Sequence, residues 1–365
     1  MKLYCILYCI AALGTAVTAQ SDNQGVCPGE RLDTLTDDFI NGLFNYNKNV
    51  SEVGNKTSLL QGCQDTLQCA AGLETNPNGK YWVVFLHGGA WRSGAGVDFL
   101  CAVAKMRSRK GAPFDQIRGF ATMDYRLSDL GDDGQGQDNG NKQGRRHDLS
   151  RRQSQRRVRH PDHINDVRSA IQSLAQRMQM DKYILIGHSA GGTMAMQLLM
   201  GDAALQRLSD QGRQQTSTCR AGRNYTANSN QIPLPDAVIT TAGIFDLPLL
   251  VDEIGPESKP FYTNFVTQAF GSRRADWTQA SPANFAGNYK QMWPGNNVLM
   301  LARSQQDTLI DASQLDAMEK KLIADGITPT VVRNLTGQHD VVWQSGVQLA
   351  NLVEQTLGEL NARST

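Results

Sequence analysis

Six runs of apolar, β-forming residues, separated by segments with helical spacing, constrain the fold of this 365-residue chain most strongly. The run at residues 81–86 reads Tyr-Trp-Val-Val-Phe-Leu, and a continuous apolar run of this length is typical of a strand buried on both faces. The other five runs lie at residues 119–125, 183–186, 237–242, 297–302 and 328–332, the last of which is more polar.

The segments between these runs carry helical patterns. Ile164, Val167, Ile171, Leu174 and Met178 recur at spacings of three and four, which predicts a helix with one apolar face. Further helices are expected at 193–200, 315–323 and 344–360. Strand–helix alternation of this kind predicts an α/β fold, a mainly parallel sheet with helices on both faces.

Residues 1–19 are predicted to be a secretory signal peptide. Lys2 is followed by an apolar stretch at residues 3–17, and small residues at Val17 and Ala19 favour cleavage after Ala19. The stretch is shorter than the roughly 20 residues that span a bilayer. We therefore expect a secreted, extracellular protein with no membrane attachment after the signal is removed.

Residues 20–79 are interpreted as a cysteine-containing N-terminal extension, and residues 80–365 as the main domain. Because secreted proteins fold in an oxidising compartment, we expect one or two disulfides among the first four cysteines of the mature chain. The mature chain has an odd number of cysteines, so at least one thiol is free. The cysteines after the signal are Cys27, Cys63, Cys69, Cys101 and Cys219. Four Asn-x-Ser/Thr sequences predict glycosylation at Asn49, Asn55, Asn224 and Asn334.

Two polar segments interrupt the main domain. Residues 128–160 are rich in Gly, Gln, Asp and then Arg, and we interpret them as a solvated loop rather than a polyanion-binding patch. Residues 248–285 are the expected cap segment, too polar for a lipase lid. With 36 Lys+Arg against 35 Asp+Glu, no overall charge favours binding to nucleic acid.

The sequence Gly-His-Ser-Ala-Gly at residues 187–191 predicts the catalytic nucleophile. It follows the strand at 183–186 and precedes the helix at 193–200, which is the strand–turn–helix context of a nucleophile elbow. The elbow holds its serine in a strained conformation and requires small neighbours. We therefore predict that Ser189 is the nucleophile.

The sequence His-Gly-Gly-Ala-Trp at residues 87–91 directly follows the strand at 81–86. Consecutive glycines allow backbone N–H groups to face a ligand without an intervening side chain. We predict an oxyanion hole formed by the amides of Gly88, Gly89 and Ala190. His87 is interpreted as a structural residue.

The acid and the histidine of a serine triad follow an elbow serine in that order. His339 is the one histidine after Ser189 in the sequence, and it is predicted to be the general base. Asp307, in the loop after the strand at 297–302, is the predicted acid, with Asp311 as the alternative. Asp340 adjoins His339 and is poorly placed to orient its ring.

Together these motifs resemble the kynurenine formamidase (arylformamidase) branch of the α/β-hydrolases. The more specific elements are His-Pro-Asp-His-Ile-Asn-Asp-Val at 160–167 and Gly-Ile-Phe-Asp-Leu-Pro at 243–248. The segment Ala-Ser-Pro at 280–282, the Asp307 loop and Gln-His-Asp-Val-Val-Trp at 338–343 are also similar to that branch. The resemblance covers about residues 80–360.

The resemblance implies an α/β-hydrolase fold and hydrolysis of N-formyl-L-kynurenine to kynurenine and formate through an acyl-enzyme on Ser189. Trp91, Tyr125, Phe245 and Trp343 are candidates to contact the aromatic substrate. Members of that branch usually act inside the cell, so a secreted carboxylesterase acting on short-chain or aryl esters is the alternative. A non-catalytic recognition protein on the same fold is a more remote alternative.

No metal-binding or cofactor-binding motif accompanies these residues, and a serine triad needs no cofactor. The expected partner is a small acyl or formyl substrate. The sequence does not specify the oligomeric state.

Overall fold

The computed structural model describes residues 70–128, 158–206, 208 and 232–363. Within these ranges seven strands form one sheet in the order β1-β3-β2-β4-β5-β6-β7. β1 is antiparallel to β3, and all other neighbouring strands are parallel. The strands are β1 Ala70–Glu74, β2 Tyr81–Leu86, β3 Ile117–Met123, β4 Tyr183–His188, β5 Ala237–Thr241, β6 Val298–Ser304 and β7 Thr330–Leu335.

Helices cover both faces of this sheet, as the alternation of apolar runs predicts. Alternate residues of β2 enter different cores: Trp82, Val84 and Leu86 join one cluster, while Tyr81 and Phe85 join the other. The helices are α1 Leu100–Ser108, α2 Asp162–Met178, α3 Ala190–Leu199, α4 Leu247–Glu253, α5 Lys259–Phe270, α6 Arg274–Ala280, α7 Tyr289–Met292, α8 Ala312–Ala324, α9 Val341–Gln344 and α10 Val347–Ala362. The mainly parallel α/β architecture is therefore confirmed.

The edge strand β1 differs from the sequence interpretation. Ala70–Glu74 lies inside the segment interpreted as an N-terminal extension, yet it pairs with β3 from Ala70–Met123 to Glu74–Gly119. Its sequence, Ala-Ala-Gly-Leu-Glu, has no β-branched or aromatic residue, so the local pattern carries no strand signal. Pairing with β3 holds this segment in the sheet, which begins at residue 70 rather than 80.

The last predicted helix, at 344–360, is two helices in the structure. Gly346 separates α9 from α10 with a φ of 68°, in the left-handed region that favours glycine. A Cβ atom at this position would lie 2.3 Å from the backbone of Cys101, so Gly346 also permits close contact with α1. The break brings the C-terminal helix against α1 on one face of the sheet.

Several predictions concern residues that lie outside the described ranges. These are the signal at 1–19, most of the loop at 128–160, the sequons at Asn49, Asn55 and Asn224, and Cys27, Cys63, Cys69 and Cys219. Asn334 is described, and it is an exposed residue of β7. None of the described helices has the length and apolar character needed to cross a membrane.

Candidate active site

Ser189 lies at a sharp turn between β4 and α3. Its φ of 52° and ψ of −119° are strained for a residue with a side chain. The turn is closely packed: a Cβ atom on Gly187 would lie 2.5 Å from the Gly191 carbonyl oxygen, and one on Gly191 would lie 2.3 Å from the Leu86 carbonyl oxygen. The two glycines therefore permit the strand-to-helix turn on which a nucleophile elbow depends.

Asp307 and His339 form a hydrogen-bonded pair across two loops. The distance from His339 Nδ1 to Asp307 Oδ2 is 2.8 Å. Asp307 Oδ1 accepts hydrogen bonds from the backbone N–H groups of Leu309 at 2.9 Å and Ile310 at 3.1 Å, so the carboxylate is fixed in orientation. Asp311, the alternative acid, instead begins α8 as its N-cap residue.

Burial and mutual attraction determine the pKa values of this pair. Burial alone would lower the pKa of His339, but the hydrogen bond and negative charge of Asp307 outweigh it and raise the pKa above its ordinary value. Burial would raise the pKa of Asp307, yet His339 and the two backbone N–H donors lower it. The lowered pKa of Asp307 and the raised pKa of His339 mean that the carboxylate stays ionised and stabilises a protonated imidazole, as the acid of a triad does.

The Gly-Gly turn after β2 lies against the elbow. A Cβ atom on Gly88 would lie 3.0 Å from the Cβ atom of Ser189, so Gly88 and Ser189 are direct neighbours. Gly89 has a φ of 94°, and Ala190 is the first residue of α3, where backbone N–H groups have no acceptor within the helix. The structure thus brings all three predicted oxyanion-hole residues to the turn beside Ser189, and their role stays a prediction.

His87 holds this turn in place. Its ring stacks on Tyr125 with centroids 4.3 Å apart, and its Nδ1 lies 2.9 Å from the Gly88 carbonyl oxygen. Tyr125 donates a hydrogen bond of 2.9 Å to the same Gly88 oxygen. Burial lowers the pKa of His87 and keeps the ring neutral. These contacts support the interpretation of His87 as a structural residue.

A second hydrogen-bonded pair, His188 and Asp340, lies beside the first and was not predicted. His188 Nε2 is 3.3 Å from Asp340 Oδ1, and His188 Nδ1 is 3.1 Å from Thr241 Oγ1. The His188 and His339 rings have centroids 4.6 Å apart, which places His339 next to the elbow. Sequence gives one signal for the pair: His188 and Asp340 each adjoin a predicted triad residue.

Burial and hydrogen bonding set the charge of this second pair. Burial lowers the pKa of His188, so the imidazole is neutral. Burial would raise the pKa of Asp340, but the hydrogen bond from His188 and the nearby His339 lower it to about 2. As expected from the sequence, Asp340 does not orient His339; it accepts from His188 and from Trp343 Nε1, the latter at 3.2 Å.

The four predicted substrate contacts are packing residues in the structure. Trp91 is fully buried against the edge of Phe270, with ring centroids 4.8 Å apart. Phe245 is 1% exposed in the same core, and Tyr125 is buried under the Gly-Gly turn. Trp343 is partly buried and bonded to Asp340. Contact between these residues and a substrate stays a prediction.

The segment at 243–248 packs directly behind the elbow. A Cβ atom on Gly192 would lie 2.9 Å from Gly243 Cα, and Thr193 Oγ1 donates a hydrogen bond of 2.6 Å to the Ile244 carbonyl oxygen. Asp246 then caps α4 by accepting from the Leu249 N–H at 3.0 Å. The segment therefore packs against α3 and begins α4, the first helix of the predicted cap segment.

The segment at 160–167 anchors the ends of the predicted loop. Asp166 accepts hydrogen bonds from Arg126 Nε at 2.8 Å and Nη2 at 2.7 Å, and His163 Nε2 lies 3.0 Å from Ser128 Oγ. Arg126 precedes the loop and Ser128 is its first residue, while Asp166 and His163 lie in α2, which follows it. This motif thus stabilises the scaffold, and it is separated from Ser189 in the sequence.

The strained serine between a parallel strand and a helix, the buried Asp–His pair and the glycine turn define a class of enzyme. The alpha/beta hydrolase family model matches residues 83–350, and the chain belongs to this family. It is a hydrolase of the α/β-hydrolase superfamily, with kynurenine formamidase-like relatives.

Among curated proteins, the chain is similar to "Kynurenine formamidase-like hydrolase fscH" of Fusarium equiseti, with 31% identity over 77% of this chain and 84% of the relative. It is also similar to "Kynurenine formamidase" of Meyerozyma guilliermondii, with 26% identity over 83% of this chain and 94% of the relative.

A fungal esterase from Rhizomucor miehei shares the fold, with a TM-score of 0.52 and 12% identity over 81% of this chain and 80% of that one.

Proposed function

We propose that the chain is a serine hydrolase that cleaves an aryl formamide, N-formyl-L-kynurenine, to L-kynurenine and formate. The observation that carries the proposal is the buried Asp307–His339 hydrogen bond beside the strained Ser189, in a chain 31% identical to a relative named as kynurenine formamidase-like. The two motifs of the resemblance at 160–167 and 243–248 support the same substrate class.

The proposed reaction has two steps. Ser189 Oγ attacks the formyl carbon while His339 takes the serine proton, and the amides of Gly88, Gly89 and Ala190 stabilise the oxyanion. His339 then gives this proton to the departing aryl amine, which leaves a formyl ester on Ser189. Water attacks the ester, His339 accepts its proton and returns it to Ser189, and formate leaves.

The proposed location is extracellular, after removal of residues 1–19. This apolar N-terminal segment is the observation that favours the second candidate function, a secreted carboxylesterase acting on short-chain or aryl esters. The same three catalytic residues would serve an ester, since the acyl group and the leaving group differ but the two steps do not.

A comparison of the wild type with Ser189→Ala tests the proposal, using N-formyl-L-kynurenine and a short-chain p-nitrophenyl ester as substrates. We expect the formamide to have the higher kcat/KM and its turnover to fall on the order of 10⁶-fold in the variant. The control is Ser169→Ala, which removes a helix-surface hydroxyl bonded to the Asn165 carbonyl oxygen and should retain activity. Turnover of the ester alone would establish the second candidate instead.

A further inference from the structure

His188, His339 and Asp340 form a group whose possible metal ligands lie close together. One atom from each residue, a ring nitrogen or a carboxylate oxygen, lies within 4.8 Å of the other two. We infer that these three residues bind a divalent transition-metal cation such as Zn²⁺ beside the turn that carries Ser189, and that the bound cation inhibits the enzyme.

A cation at this site would bind the Nε2 atom of each histidine ring, in place of the hydrogen bond that His188 Nε2 now makes with Asp340 Oδ1. His188 Nδ1 is held by Thr241 Oγ1 at 3.1 Å, and His339 Nδ1 is held by Asp307 Oδ2 at 2.8 Å. Histidines that bind metals almost always donate their other ring N–H to such an oxygen, which fixes the ring and its tautomer. Both outer partners are thus already present, and the His188 ring proton would move from Nε2 to Nδ1, toward Thr241 Oγ1, when the cation binds Nε2.

The spacing suits a tetrahedral ion. With metal–nitrogen and metal–oxygen distances of about 2.0–2.2 Å, neighbouring ligands of tetrahedral zinc are about 3.4 Å apart. His188 Nε2 and Asp340 Oδ1 are already 3.3 Å apart. The ligand atom of His339 lies within 4.8 Å of both, so it must approach them by up to about 1.4 Å, and water would take the fourth position.

The ligand types select the class of cation. Two imidazole nitrogens and one carboxylate oxygen suit Zn²⁺ and similar transition-metal ions. Mg²⁺ and Ca²⁺ prefer oxygen ligands throughout. We therefore expect Zn²⁺ and Co²⁺ to bind and Mg²⁺ to compete poorly.

Inhibition follows from the position of His339. A cation on His339 Nε2 occupies the lone pair that the ring needs to accept the Ser189 proton. This consequence rests on the proposed function, whereas binding of the cation does not.

Binding is tested on the full chain carrying Ser189→Ala, which separates it from turnover. Calorimetry with Zn²⁺ should give one site, and Co²⁺ should give the visible absorption of a tetrahedral complex. Adding Asp340→Asn should raise the Kd at least about tenfold, since even loss of an outer partner costs 10–100-fold. His339→Gln, as a second ligand variant, should weaken binding in the same way.

The matched control is Asp124→Asn, which removes a carboxylate from the same neighbourhood without removing a ligand. The negative charges of Asp124 and Asp340 both raise the pKa of Asp98, so the two carboxylates share an electrostatic environment and the control separates loss of charge from loss of a ligand. It should retain the Kd within about threefold. Absence of a site, or equal loss of affinity in Asp124→Asn and Asp340→Asn, would overturn the assignment.

Activity assays test the inhibitory consequence. Zn²⁺ should inhibit the wild type reversibly, with activity restored by a chelator, and Asp340→Asn should need at least about tenfold more Zn²⁺ for the same fractional loss. Zinc binding without inhibition would contradict the role given to His339. Zinc binding in a wild type that turns over neither substrate would contradict the proposed function and leave the metal site standing.

Discussion

The two carboxylate oxygens of Asp307 have different tasks. Oδ1 accepts two backbone N–H groups of its own loop, which leaves Oδ2 to hold the His339 ring through Nδ1. The negative charge then favours the protonated form of His339. The acid therefore sets both the orientation of the base and the pH range in which the base is neutral.

Asp307→Asn should lower kcat by about 10⁴-fold, since an amide neither holds the required tautomer nor stabilises the imidazolium. Because Asp307 raises the pKa of His339, the acid limb of the residual kcat/KM profile should move to lower pH in the variant. The measurement is a pH–rate profile for both proteins.

The control for this variant is Asp311→Asn, at the alternative acid. Asp311 is the N-cap residue of α8 and makes no side-chain capping hydrogen bond. Its amide variant should keep kcat within about threefold of the wild type. An equal loss in both variants, or an acid limb that moves to higher pH, would contradict the assignment of Asp307.

Single residues differ in how far sequence could predict them. The elbow serine lies in a local motif, and the order of acid and histidine along the chain selects His339 and leaves Asp307 and Asp311 as the acid candidates. The structure brings Asp307 within 2.8 Å of His339. The His188–Asp340 pair joins residues 152 positions apart, and no local pattern specifies such a hydrogen bond. The burial of Trp91 and Phe245 likewise depends on the helices packed over them.

At the scale of elements, the site forms because β2 and β4 are parallel neighbours. Leu86 pairs with Gly187 at the carboxyl ends of these strands, so the Gly-Gly turn and the elbow leave the sheet side by side. Ligand sites of parallel sheets lie at these ends. The approach is close enough that Gly88 has no room for a side chain.

Gly88→Ala should therefore separate the turn from the elbow. The added Cβ would lie 2.9 Å from His188 Cδ2 and 3.0 Å from Ser189 Cβ, so the turn must shift. We expect kcat to fall on the order of 10²-fold, which is the cost of a misplacement of about 1 Å in a catalytic site. Steady-state kinetics with a thermal unfolding curve measure this effect.

Gly255→Ala is the matched control, since an added Cβ there meets no atom within 4 Å. It should leave kcat unchanged. A Gly88→Ala protein with wild-type kcat would contradict the role of this close contact.

Elements with strong local patterns were predicted, and those set by tertiary contacts were not. β2 and the apolar stripe of α2 are evident in sequence, with α2 beginning at Asp162, two residues before the stripe. β1 has no strand-forming residues and depends on β3, while the break at Gly346 depends on α1. Neither partner is local in sequence.

At the scale of the whole molecule, four buried histidines outside the proposed triad link folding to pH. Burial lowers the pKa of His160 to about 4, and burial with the nearby His160 and Arg126 lowers that of His163 to about 3. Burial lowers the pKa of His87 and of His188 as well. These rings are neutral in the folded chain and bind protons below about pH 6.5 once unfolded.

Stability should therefore fall as pH falls from 7 to 5. A histidine with an unfolded pKa of 6.5 and a folded pKa of 3–4 favours the unfolded chain by about 2 kcal/mol at pH 5. His163→Gln removes one such ring and retains a donor toward Ser128, whose Oγ lies 3.0 Å from His163 Nε2. Denaturant unfolding gives the free energy of unfolding at pH 7 and at pH 5. The difference between these two values should be smaller by about 2 kcal/mol in the variant than in the wild type.

Groups with raised pKa values act in the opposite direction. Asp98, whose pKa burial and then its neighbouring carboxylates raise to about 6, and His339 both bind protons more readily in the folded chain, so they stabilise it as pH falls. Both groups are present in the wild type and in the variant, so their contributions to the free energy of unfolding cancel in the comparison. They do reduce the total loss of stability in each protein. An equal pH dependence in the two proteins would therefore mean that His163 does not remain neutral in the fold.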